Sequence, residues 1–132
     1  MSGSWEIQKS VYSLLDTFLS VPVFSMGDVP QSIEAVYCVV GDTTLAPHDG
    51  DNATGFDGTI TIHTWDCDPT SNGFKKVKEL MNDVYGALNR ASLNVSGYTV
   101  IDVMFEFEQP FLDGDGISTH GVQRFRILMT KI

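Results

Sequence analysis

Cysteine is scarce in this chain: among 132 residues only Cys38 and Cys67 occur, without C-x-x-C spacing. Cys38 inside Tyr37-Cys38-Val39-Val40 reads as a buried, inert thiol, and a reducing compartment is the simpler assumption. Basic residues are scarce too. Eight Lys and Arg stand against 17 Asp and Glu, a formal charge of -9, which argues against a protein that grips nucleic acid by neutralising phosphates. It leaves open a surface past which nucleic acid slides, since like charge discourages adhesion. No apolar run approaches the roughly 20 residues that span a bilayer, so no membrane partner is expected. The N-terminus has no positively charged lead before an apolar segment, and export is not indicated.

Catalytic signatures are missing as well. The chain has no G-x-x-x-x-G-K-[ST] loop, no G-x-G-x-x-G, no nucleophile elbow and no serine-lysine pattern. His48, His63 and His120 fall in three separate elements without zinc-ligand spacing. His63 reads as a packed or interfacial histidine, and His120, before Gly121 at a strand start, as a turn cap or subunit contact. Asp49-Gly50-Asp51-Asn52 and Asp113-Gly114-Asp115-Gly116 cluster oxygen ligands but do not continue into a twelve-position calcium loop; turn chemistry accounts for both. Asp66, Asp68, Glu106 and Glu108 could supply paired carboxylates, yet nothing marks a substrate cleft around them. The Lys75, Lys76, Lys78 cluster has only Phe74 beside it and reads as a solvated helix face. The expectation is a protein that is not an enzyme, with no catalytic, cofactor-binding or metal-binding residues and no cofactor.

What is present is a set of alternating patterns in a chain long enough for one domain, residues 1–132, with 42% hydrophobic residues. Ile7, Val11, Leu14, Leu15 and Phe18 recur at helical spacing, which predicts a helix from Ser4 to Leu19 with Ser4 as N-cap and Pro22 beyond its end. Phe24 to Gln31 reads as an irregular crossing. Val36 to Val40 is a strand, and Asp42 to Gly55 a long loop that is either mobile or docks on something. Phe56 to Trp65 is a strand with Thr59, Thr61, His63 and Trp65 on one side and Ile60 and Ile62 on the other.

Phe74, Val77, Met81, Val84 and Leu88 form a second helical stripe within 74–91. Leu93 to Val95 is a short strand candidate. Thr99 to Glu108 alternates between an apolar and an acidic side, and 109–118 is a hairpin tip. In the last strand Phe125, Ile127 and Met129 share one side while Arg124 and Arg126 share the other, free to meet Asp102, Glu106 or Glu108 across the sheet. The sum is a compact single α+β domain with a mainly antiparallel sheet covered on one face by two helices.

At these strand motifs the chain resembles the small tail-completion or tail-terminator proteins of long-tailed bacteriophages, prophages and gene transfer particles. The resemblance runs from the first helix to Met129. It rests on Val29-Pro30-Gln31, Val36-Tyr37-Cys38-Val39-Val40-Gly41, Thr59-Ile60-Thr61-Ile62-His63-Thr64-Trp65, the following helix, and Asp113-Gly114-Asp115 through Thr119-His120-Gly121-Val122-Gln123-Arg124-Phe125-Arg126. Val36 stands where a proline commonly precedes the tyrosine, and Asp42 to Gly55 is unusually acidic.

The resemblance implies a structural virion protein at the head-tail interface, assembled in the host bacterial cytoplasm, that terminates the tail tube. It implies a homo-oligomeric ring, often a hexamer, with the major tail tube protein and a head-completion or connector protein as partners. Double-stranded DNA would pass through the ring without sequence-specific binding. The alternative is a head-completion or tail-tube structural protein of the same particle.

Overall fold

The first apolar stripe forms helix α1, Ser4–Phe18, with Ile7, Val11 and Leu15 buried. The computed structural model describes residues 3–132; Met1 and Ser2, at the start of the expected domain, lie outside it. Ser4 is not the cap. Gly3 holds that position at φ 94° with no side-chain cap, packed so closely on Tyr98 that a Cβ would lie 2.8 Å from its ring. Only glycine meets both demands at low cost.

The crossing expected to be irregular contains a short strand, β1, Val23–Ser25, which pairs in parallel with β2, Val36–Pro47, at Val23 and Cys38. Strand β3, Gly55–Asp66, returns antiparallel to β2. Helix α2, Lys75–Leu88, precedes β4, Tyr98–Leu112, and β5, Thr119–Lys131. The strand order is β1-β2-β3-β5-β4, with every pair except β1 and β2 antiparallel. Both helices pack on one face, α1 over β1 and β2 and α2 over β3, β5 and β4. The α+β class with two helices on one sheet face is as expected.

Strand lengths depart from the sequence reading. Half of the expected loop from Asp42 to Gly55 is strand: after an irregularity between Val40 and Thr43, β2 pairs on to Pro47, leaving 48–54 as the turn. Likewise β4 continues through Gln109 to Leu112, so the second tip is only 113–118. Aspartate and proline suggested loops at both places, but ladder pairing to a committed neighbour outweighs local propensity, and β4 is an edge strand, where proline is tolerated. Leu93 to Val95 forms no strand, although Val95 is buried. Phe74 precedes α2 and is partly exposed, so the core stripe starts at Val77.

Strand parity decides the core. Cys38, Val40, Ile60, Ile62, Val103, Phe125, Ile127 and Met129 join the helix stripes in one apolar cluster. Each large side chain so buried contributes about 1.5–3 kcal/mol. Burial pushes the Cys38 thiol up to about 12, which keeps it protonated and inert, as expected. Gly121 lets α2 approach the sheet: a Cβ there would lie 2.4 Å from Thr64 Oγ1 and 2.5 Å from Met81 Sδ. Beside it the buried Gln123 amide donates to the Met81 carbonyl at 2.9 Å, tying β5 to α2.

Candidate functional site

With both helices on one side, the opposite face of the sheet and the loops at its two ends stay uncovered. Alternation sends Tyr37, Trp65, His63, His120, Arg124 and Arg126 to this helix-free face. Register does the rest, because Tyr37 lies opposite Trp65 and Trp65 opposite His120. Trp65 and His120 stack with centroids 3.7 Å apart at 9°, Tyr37 stacks on Trp65 at 6.4 Å, and Phe111 of β4 meets His120 edge-on at 4.6 Å. The result is an aromatic band crossing four strands.

His63 closes the band. Its Nδ1 and the Nε2 of His120 are 2.9 Å apart, so one neutral imidazole donates to the other. Burial lowers the pKa of His63; burial, then the neighbouring His63, lowers that of His120 to about 4. A proton on each ring would set like charges in contact, so the pair is held neutral. Burial, with Cys67 adding to it, likewise raises the Tyr37 hydroxyl to about 12. A small cavity of about 310 Å³ beside the band is lined by Met26, Val29, Val39 and Trp65 together with both histidines. Neutral, mutually satisfied imidazoles against apolar walls pack strands together. His63 is therefore a packed histidine as expected, whereas His120 lies within β5 and is not a turn cap: it is buried between Trp65 and Phe111.

Further along the face lie the arginines. Arg124 Nε donates to Glu106 Oε1 at 2.9 Å, and its guanidinium lies over the Phe107 ring at 4.8 Å. Arg126 pairs with Asp57 of β3, with Nε 2.7 Å from Oδ1, and this partner holds the Asp57 carboxyl below the usual range. Asp102 is taken by Arg90, two residues beyond α2, and Glu108 receives the Gln123 amide at 3.2 Å. Of the three acidic partners expected for the arginines only Glu106 serves, because β5 has a neighbour on each side and Arg126 leans toward β3.

The two hairpin tips sit at opposite ends of the sheet, 48–54 beyond the Gly55 end of β3 and 113–118 beyond the Asp66 end. Both acidic turns are backbone devices. Asp49 Oδ1 accepts from the Gly55 amide at 3.1 Å, and Asp115 accepts from the amides of Ile117 and Ser118 and from the Ser118 hydroxyl. These bonds, that of Ile117 first, hold the Asp115 carboxyl below its ordinary range. His48 lies in the first turn, away from the imidazole pair. Among the described residues no group of three or more His, Cys, Asp and Glu is placed to hold a metal ion, and no helix is long and apolar enough to cross a membrane. Lys75, Lys76 and Lys78 are exposed on α2, as expected, with Lys75 paired to Glu79 and Lys76 to Asp68.

Sequence reasoning placed Arg124, Arg126, His63 and Trp65 correctly by parity but missed the imidazole pair, Asp57 and Arg90. Position parity could have grouped His120 with the arginines; only register brings it to Trp65.

The model of the family "Tail completion protein gp17" matches residues 13–130, and the chain belongs to that family. A chain in the solved virion of a native gene transfer agent particle has the same fold, with a TM-score of 0.79 and 18% identity over 94% of each chain. A second solved structure is similar at a TM-score of 0.58 and 13% identity, over 97% of this chain and 92% of that one. No curated protein matches by sequence. The chain is thus a small structural protein of the tail-completion type.

Proposed function

We propose, taking membership of the tail completion family as premise, that this chain terminates the tail tube and forms part of the surface to which the head is joined. It does so as a ring of identical subunits, a hexamer in our reading, at the head-tail interface of the virion. The tail tube protein lies on one side and a head-completion or connector protein on the other. The work is structural and non-catalytic, and the single domain of residues 1–132 carries it.

The observation that carries this reading is the placement of the two tips at opposite poles of one rigid sheet. An adaptor between unlike partners needs two unlike surfaces held at fixed separation, and a sheet with one packed face and closed ion pairs supplies that. Carboxylates without a cation partner among the described residues, including Asp49 and Asp51 at one tip and Asp113 at the other, give the protein its negative surface. Where they face the opening, passing DNA is repelled rather than held.

Shortening either tip tests the reading. Replacing 49–53 or 114–117 by a minimal turn should leave the circular dichroism spectrum intact and leave heads and tails unjoined in electron micrographs. Normal yields of joined particles from both shortened chains would refute the docking role.

A further inference from the structure

Resting on the ring reading above, we infer that the seam between neighbouring copies is formed by the outer stripe of α1 seated in the groove between α2 and β4 of the next copy. The two surfaces lie on opposite flanks, since α1 covers the β1 side of the sheet and α2 the β4 side.

Helix α1 has a second stripe beside the buried one, on which Trp5, Lys9 and Asp16 are exposed while Tyr12 is partly buried against the core. Trp5, Lys9, Tyr12 and Asp16 follow at spacings of four, three and four, which align on one helix face. Trp5 is 52% exposed although it is among the largest apolar side chains of the protein. On the other flank, Lys78, Asn82 and Tyr85 of α2 and Phe105, Glu108 and Pro110 of β4 line an open groove. Its floor is aromatic, with Tyr85 edge-on to Phe105 at 5.1 Å and Tyr85 40% exposed. Aromatic anchors on a helix and an aromatic-floored groove match the helix-in-groove mode of recognition.

Charge selects the occupant. Lys78 and Asp16 have no ion-pair partner among the described residues of their own subunit, and they lie on opposite flanks. Both tips are acidic, so contact between copies there is repulsive. Strand-to-strand joining at β4 is also disfavoured, because bulges between Val100 and Asp102 and between Phe105 and Phe107, with Pro110, interrupt its free edge. Unlike flanks that fit each other make a heterologous contact, the kind of contact from which a closed ring is built.

The test is site-directed cross-linking of a Cys67→Ser chain carrying Ser13→Cys on α1 and Asn82→Cys in the groove, treated with a short bismaleimide in solution and on purified tails. Interchain products should form a ladder that stops at one fixed subunit number. In the same background Asp16→Lys or Lys78→Glu should each weaken the ladder by about tenfold, and the two together should restore it. Dimers alone would replace the heterologous seam by a two-fold one and overturn the inference. Absence of interchain products, with several copies per tail by quantitative mass spectrometry, would also overturn it while leaving the ring intact. A single copy per tail would overturn the ring itself. Trp5→Ala should keep its melting temperature and lose the ladder; a ladder that survives it counts against the seam.

Discussion

The two faces of this sheet are built from the same strands, yet one is dry and the other is polar and crossed by aromatic rings. On the helix side Phe125, Ile127 and Met129 are at most 1% exposed and contribute through volume. On the other side their chain neighbours Arg124 and Arg126, with His120 earlier in the same strand, contribute through direction, by ion pairs, a shared imidazole hydrogen bond and stacking. The contrast teaches which face tolerates change. A packed face loses free energy with every missing methylene, whereas an open ion pair is screened by water.

Substitutions should separate the faces clearly. Phe125→Ala should cost about 3–5 kcal/mol in urea unfolding, the largest effect we expect, because a fully buried ring leaves a cavity. A cost below about 1 kcal/mol would mean that the helix side is not the dominant store of stability. Gly121→Ala should cost about 1–3 kcal/mol by forcing α2 away from β5, with loss of near-ultraviolet dichroism as a second readout.

The imidazole pair sharpens the comparison through pH. Both folded-state pKa values lie below the ordinary value of 6.5, so the unfolded chain binds protons that the folded chain refuses. Their contribution is complete above pH 6.5 and is lost as pH falls toward the His120 value of about 4. The loss should be about 1–3 kcal/mol, discounted for the solvent that reaches the open face. His120→Gln should flatten that part of the stability profile, and an unchanged slope would show that the pair does not titrate as described. Smallest of all should be the effect of Arg124→Ser with Arg126→Ser on urea unfolding, because both pairs are open to solvent and screened. Both pairs close within one subunit, so unfolding of this double variant would overturn the contrast between the faces.

The helices and the parity of β3 and β5 were legible because 3.6-residue and two-residue periods are carried by side chains many positions in a row. Asp42 to Pro47 and Gln109 to Leu112 were not, since their local chemistry resembles loop and the pairing that makes them strand comes from residues far along the chain. Gly3 displaced Ser4 as cap for a similar reason: its neighbour Tyr98 is distant in sequence.

Sequence alone determined the composition of each face, the acidic surplus and the resemblance to tail-completion proteins, because these reside in residue identity and order. Tertiary structure decided which residues meet. It brought His63 to His120, turned Arg126 toward Asp57 and placed the two tips at opposite poles. Register and strand order fix those contacts, and both are set by how the whole sheet closes over its core rather than by any single segment.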